Sequence, residues 1–262
     1  MPTLTNTDDL QRDEERVPGA APRRSRGPLH ERRRRKIAAL VPRWYSPALH
    51  LIVPALLGLS VLGFAVSRVR ALRPAELVAV PITLAFAFAF EWCVHRWVLH
   101  RRSPFVSILY ERHELEHHVV FTHEDMPMRS SRELWLVLMP AYAVVLVALI
   151  NAPIAYLTAT LTSPNAGYLY LTTSMVFFLS YEWLHLAYHL PPSSLIGRSP
   201  LIARLREHHR RHHDPRRMKR WNFNVTVPLF DVILGTLWSP ERGQETTRRA
   251  RRRGDSYARP SA

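Results

Sequence analysis

From Leu134 to Tyr181 the chain runs 48 residues without an Asp, Glu, Lys or Arg. As helix such a run measures about 72 Å at 1.5 Å per residue, close to twice the hydrocarbon thickness of a bilayer, so it has to fold back on itself. Ser163-Pro164-Asn165-Ala166-Gly167 carries the turn residues, and the run reads as a helical hairpin in lipid. Two further apolar stretches precede it. Ala48 to Ser67 is 20 residues free of charged side chains, the length of one span, with Trp44 and Tyr45 just ahead of it where interfacial aromatics gather. After the link Arg68 to Arg73, a second stretch runs from about Pro74 to Val94 and is rich in Ala and Phe. The expected fold is all-α, an integral membrane bundle of about four transmembrane helices.

The polar remainder is strongly basic. Thirty-six Lys and Arg against 21 Asp and Glu give a formal charge of +15. Beside apolar spans, such an excess points to an anionic membrane surface. A nucleic-acid arm is disfavoured, because no aromatic residue is interleaved in the run Arg32 to Lys36. Residues 1–43 lack the apolar core of a signal peptide and read as a disordered basic arm. Residues 44–240 read as one membrane-embedded domain, and 241–262 as a second disordered basic tail. By the positive-inside rule both termini and the polar segments 101–132 and 191 onward are cytoplasmic, making this a multi-pass protein. Arg68, Arg70 and Arg73 dissent, three basic residues on the far side against eleven in residues 1–47. Cys93 is the only cysteine, so neither an intrachain disulfide nor a thiolate cluster is available.

Where the apolar segments meet the basic ones stand four histidine boxes: His95-x4-His100, His113-x3-His117-His118, His185-x3-His189 and His209-x2-His212-His213. Of the 14 histidines only His30, His50, His123 and His208 lie outside them. Ten imidazoles exceed what one metal takes, since zinc binds about four ligands, so the boxes point to two metal sites in a cytoplasmic cap. Residues three or four apart share a helix face, which lets His113 pair with His117, His185 with His189, and His209 with His212. His95 and His100 stand roughly 140° apart on a regular α-helix, so this box belongs where a helix ends or loosens. Glu91 and Glu182 fall on the faces of His95 and His185 and are candidates to orient those rings through their second nitrogen. His123 and His208 adjoin boxes and are candidates for the same outer shell. The segment Trp221 to Pro240, broken by Pro228, Asp231 and Gly235, is too short for a span and is expected to fold back on the metal-bearing helices.

Imidazole suits zinc, copper, iron and nickel alike. A hydrolytic zinc site needs about three protein ligands and an open position, whereas here about five nitrogens per metal flank a lipid-facing bundle. Such a set suits oxygen activation against a buried hydrocarbon chain. A metal transporter or histidine-rich metal-binding protein is the alternative of another class. Transporters hold ligands near the bilayer midplane, and these boxes sit at helix ends and beyond.

The order and spacing of the four boxes, with Asn222-Phe223-Asn224, Pro228-Leu229-Phe230-Asp231 and Gly235-Thr236-Leu237 after the last, resemble the membrane fatty acid hydroxylase and sterol desaturase superfamily over roughly residues 80 to 239. That resemblance implies a di-iron centre held by His95, His100, His113, His117, His118, His185, His189, His209, His212 and His213, with zinc in the same positions in some crystals. It implies molecular oxygen as oxidant, a lipid as substrate, and a separate electron donor such as a ferredoxin, cytochrome or reductase. Lipid hydroxylation is the first reading of the activity and desaturation the second.

Overall fold

The structure, a computed structural model, describes residues 27–243. Residues 1–26 and 244–262, most of the two expected tails, lie outside the described residues. All named elements among the described residues are helices. In chain order they are α1 (Pro28–Ala39), α2 (Pro47–Arg68), α3 (Ala79–Val94), α4 (opening as Ser107–Tyr110), α5 (Leu134–Val137), α6 (Ala141–Leu161), α7 (Pro164–His189), α8 (Pro200–His212) and α9 (Leu229–Ile233).

Three stretches are long and apolar enough to cross a membrane, Pro47–Arg68, Pro74–Leu99 and Ser131–Leu161. They present Leu56, Phe64, Ile82, Phe90, Leu149 and Tyr156 outward, each more than half exposed. Apolar surface on this scale marks contact with lipid rather than water. The expected fourth span, α7, has the length at 26 residues but is less apolar, with Asn165, Thr172, Thr173 and Ser174 along it. Its position accounts for its composition, because α7 packs against α2, α3 and α6 at once and turns less of itself to lipid. Asn165, Tyr170 and Thr173 are buried there, and the Tyr170 hydroxyl donates to Asn151 Oδ1 at 2.7 Å across to α6. A Cβ on Gly167 would come within 2.5 Å of the Ala155 carbonyl oxygen, so a hydrogen there is what allows the two backbones to approach.

Two boundaries differ from expectation. The reversal between α6 and α7 needs only Thr162 and Ser163, because the Ser163 hydroxyl caps the Ala166 amide at 3.2 Å and Pro164 takes the first helical position, where its missing N–H costs nothing. The basic arm is also more ordered than expected. Pro28 starts α1, which turns Arg34 and Ile37 inward while Arg32, Arg33, Arg35 and Lys36 stay exposed. Arg34 is 3% exposed and lies between Asp125 and Glu133, Nη1 2.8 Å from Asp125 Oδ2 and Nη2 2.7 Å from Glu133 Oε2. One ion-paired residue in a run of five basic ones thus docks the helix.

Candidate metal centre

The histidine boxes meet at one end of the bundle. All ten rings are buried, none more than 8% exposed, and they form two clusters. His95, His100, His113, His118 and His212 make the first; His117, His185, His189 and His209 make the second. Within each cluster one nitrogen per ring lies within 4.8 Å of every other. His213 stands at the junction, its Nε2 2.9 Å from His209 Nε2 and its ring stacked on His118 at 4.1 Å.

In the first two boxes helical winding sets this partition. Two stretches, His95–Leu99 following α3 and Glu111–His117 following Ser107–Tyr110, are π-helical. Hydrogen bonds there reach from i to i+5, so residues five apart share a face. His95 and His100 accordingly stack at 5.1 Å, and His113 meets His118, with Nε2 atoms 3.1 Å apart. The loosening expected at the first box is present, and the second box has it too. This corrects two of the three expected pairings. His185 and His189 share a cluster, whereas His113 and His117, and likewise His209 and His212, are divided between clusters. Their rings lie nearly parallel, at 13° and 18°, side by side. The second and fourth boxes therefore tie the two centres together.

Backbone carbonyls orient half of the rings. His95 Nδ1 meets the Phe223 carbonyl. His117 Nδ1 lies 2.9 Å from Leu136 O, His189 Nδ1 2.9 Å from Met126 O, His212 Nδ1 3.0 Å from Trp221 O and His213 Nδ1 2.5 Å from Phe121 O. His100 Nδ1 instead faces a carboxylate, Glu114 Oε2 at 3.0 Å. A carbonyl oxygen can only accept, so each of these Nδ1 atoms carries the proton and each Nε2 presents a lone pair. His100 and His212, both with Nδ1 committed, then face each other through lone pairs at 2.9 Å, and the Nε2 atoms of His95 and His113 adjoin at 3.0 Å and of His117 and His185 at 3.3 Å.

Burial holds these rings neutral. Desolvation pushes His113, His118, His209, His212 and His213 well below the ordinary imidazole range, and neighbouring histidines push the same way. His117 falls to about 4 for the same principal reason. His100 is lowered by desolvation, against the raising effect of Glu114. A shared proton is therefore disfavoured between two facing lone pairs, and a cation satisfies both. With nitrogen ligands at about 2.0–2.1 Å, two rings at right angles on one metal stand about 3.0 Å apart and two at the tetrahedral angle about 3.4 Å. The observed separations fit a metal in each cluster, the shorter ones a right-angled arrangement. His189 Nε2, buried without a hydrogen-bond partner, is a further donor left for such an ion.

The outer-shell candidates act differently from expectation. Glu91 touches no imidazole. Its Oε1 accepts from the amides of Val225 and Thr226 at 2.6 and 3.0 Å, and its Oε2 from Asn224 Nδ2 and Thr226 Oγ1 at 2.9 and 2.7 Å. It thereby fixes the loop whose Phe223 carbonyl holds His95. Asp231 completes that loop by accepting from the Phe223 and Asn224 amides, both at 2.9 Å, and Trp92 Nε1 donates to Thr236 Oγ1, so the segment after Trp221 does fold back on α3. Glu182 accepts from the Met139 amide at 2.8 Å and not from His185. His208 braces the same loop as Glu91, with Nε2 3.0 Å from the Asn224 carbonyl. His123 lies aside, its Nε2 3.8 Å from Glu124. Glu114, in turn bonded to Lys219 Nζ at 2.7 Å, is the carboxylate that the spacing argument did not single out. Its place inside the second box, next to His113, was the available signal.

A chain with this site matches known proteins in two ways. A solved structure described as full-length Scs7p, with only its hydroxylase domain visible, is 22% identical, with a TM-score of 0.49, covering 72% of this chain and 66% of that one. The present chain thus spans a little under two thirds of that protein's length. No curated protein matches it significantly. The family model for fatty acid hydroxylase matches residues 80–236, well over half of the chain and every box from His95 to His213. The chain belongs to the fatty acid hydroxylase family.

Proposed function

We propose that the two clusters hold two iron ions and that the protein is an O2-dependent lipid hydroxylase of the membrane. Iron bound in such a site supplies the redox chemistry that activates oxygen toward an unreactive C–H bond. The observation that carries the reading is the His100–His212 contact. Both Nδ1 atoms are committed to acceptors, Glu114 and the Trp221 carbonyl, yet the Nε2 atoms face each other at 2.9 Å. Only a cation between them satisfies two buried lone pairs.

The chain's own residues bind, orient and desolvate. Carbonyls from two loops fix the imidazole tautomers, as outer-shell acceptors do in known metal sites. Burial excludes water and keeps every ligand in its neutral, metal-binding form. His185 and His189 sit at the end of α7, the innermost helix of the bundle, with Tyr181 next to His185 at 5.8 Å between rings, so the second cluster lies next to the lipid-embedded core. The basic segments around the cap support a cytoplasmic placement and an external protein as electron donor. A fatty acyl chain, a sterol and a carotenoid all offer the C–H bond this reading needs. Desaturation of the same substrates is the second reading within the family.

His117→Ala and His212→Ala test this directly, one ligand from each cluster. Iron-replete protein is expected to carry two metals per chain, each variant fewer, with O2-dependent modification of membrane lipid abolished and membrane insertion kept. Full metal content and turnover in either variant would overturn the assignment.

A further inference from the structure

At the end of the bundle remote from the histidines, a cavity of about 610 Å3 opens between α3 and the α6–α7 hairpin. The rise along α3 separates it from the first box: its outer end is about 24 Å of helix away and its innermost α3 residue, Phe86, about 14 Å. Its walls are mostly apolar, with Val78, Ile82, Phe86 and Ile154 among them, and at its outer end stand Ser163, Glu76 and Arg73. The volume lies within the roughly 300–1,000 Å3 of pockets that hold small ligands.

The link above this cavity carries Arg68, Arg70 and Arg73, all exposed. With the cap in the cytoplasm these are the arginines on the side that the positive-inside rule disfavours, and the protein leaves them nearly uncompensated. Arg68 lies over the Phe64 ring at 5.6 Å, and the Arg70 guanidinium has no hydrogen bond or ion pair to any described residue. Arg73, its side chain 74% exposed, reaches Glu76 only at 3.4 Å. Glu76 itself is turned inward, accepting from Ser163 Oγ at 2.6 Å, Asn165 Nδ2 at 2.9 Å and the Arg73 amide at 2.8 Å. Asn165 also grips the backbone of Arg70, donating to its carbonyl at 2.7 Å and accepting from its amide at 3.0 Å. The link is thus pinned to the hairpin, with Arg73 lining the cavity's end and Arg70 exposed three residues before it.

We propose that this site binds an anionic glycerophospholipid from the leaflet remote from the histidine cap, one acyl chain between α3 and α6 and the phosphate against Arg70 and Arg73. An apolar slot topped by the exposed guanidinium groups of Arg70 and Arg73, the latter only weakly held by Glu76 at 3.4 Å, is complementary to such a molecule at both ends. A neutral lipid would leave the arginines unmatched, and a free phosphate would leave the slot unfilled. The proposal is independent of the redox reading, because the site and the metal clusters lie at opposite ends of the bundle.

Native mass spectrometry of the full chain, released from detergent with equal amounts of phosphatidylglycerol and phosphatidylcholine, tests it. Wild type is expected to retain one phosphatidylglycerol in preference to phosphatidylcholine by roughly tenfold or more, the discrimination available to two arginines at a headgroup. Arg70→Gln with Arg73→Gln should abolish that preference, and Ala79→Trp, which fills the slot, should remove retention of both lipids. The arginine pair is on the surface, so its variant tests the proposal even if Ala79→Trp does not fold. Equal retention of the two lipids by wild type, or undiminished preference in the arginine variant, overturns the proposal.

Discussion

The first and second histidine clusters share the second and fourth boxes, yet different parts of the chain steady them. In the first cluster, His95 and His212 lean on the carbonyls of Phe223 and Trp221. That loop is held by hydrogen bonds to two buried carboxylates, Glu91 and Asp231. In the second, His117 and His189 lean on Leu136 and Met126, and neighbouring His213 on Phe121. The brace there is ionic: Arg34 of α1 reaches Asp125, Glu133 and the carbonyls of Val120 and Pro127. Glu91 and Asp231 fall inside the residues that match the family model, whereas Arg34 falls outside them. The first cluster is therefore supported from within the matched residues, and the second borrows support from an amino-terminal helix that lies outside them.

The comparison breaks most sharply at Arg34. Arg34→Ala leaves Glu133 buried without its cation while Asp125 keeps Arg129 at 2.7 Å, and removing one partner of a buried ion pair costs about 3–5 kcal/mol. We expect the chain to lose the metal of the second cluster while the first keeps its own, so metal analysis should fall from two toward one per chain with a lowered melting temperature. Lys at position 34 should not restore it, since a single ammonium cannot replace the planar fork that holds both carboxylates. Two metals retained in Arg34→Ala would show that the 121–136 segment holds its carbonyls in place unaided.

Why the sequence singled out Glu91, though for the His95 ring rather than the loop, and hid Arg34 follows from how each is written. The boxes were legible because ten histidines at helical spacings, set where apolar spans end, suit metal binding far better than packing, and the spans because absence of charge over 48 residues is a strong signal. Of the misplaced pairs, His113 with His117 came from assuming regular α-helical winding, whereas His209 and His212 do lie on a regular α-helix and His209 instead meets His213, four residues on. A π-helical turn moves the shared face from i+4 to i+5, and composition does not announce it, although the five-residue spacing of His95 and His100 gave the clue for its own box. Arg34 was invisible because Arg32, Arg33, Arg35 and Lys36 look the same in sequence, and only packing selects which of them points inward. α7 was expected as an ordinary span, yet its polar residues serve a helix enclosed by three others.

Glu91 gives the complementary, weaker perturbation. Gln at this position keeps the shape but replaces one acceptor oxygen with a donor where two amides, an asparagine NH2 and a hydroxyl all converge. The loop carrying Phe223 and Trp221 should loosen, and metal affinity at the first cluster should fall by about 10–100-fold, the usual cost of losing outer-shell support. The second cluster should be unaffected. Competition with a chelator, following release of each metal separately, distinguishes a two-phase loss from a uniform one; uniform loss would mean that the clusters do not have separate braces.

Glu114 should give the smallest effect and the finest discrimination. It is the carboxylate that holds a ligand ring directly, at 3.0 Å from His100 Nδ1, and Lys219 pairs with its other oxygen at 2.7 Å. Desolvation raises its pKa, but the hydrogen bonds from His100 and Lys219 outweigh that and hold it below the ordinary range, so it stays ionised. In Glu114→Gln the amide oxygen can still accept from His100, and what disappears is the negative charge that makes the ring a stronger donor to its metal. Metal affinity at the first cluster should therefore drop by no more than about tenfold, the low end of outer-shell effects, with the second cluster unchanged. Glu114→Ala, which removes the acceptor as well, should go further toward the Glu91→Gln result. If Gln and Ala behave alike, hydrogen-bonded orientation contributes nothing at His100 and the charge alone is responsible; if Gln is silent and Ala is not, the carboxylate only positions the ring, as the backbone carbonyls do elsewhere in both clusters.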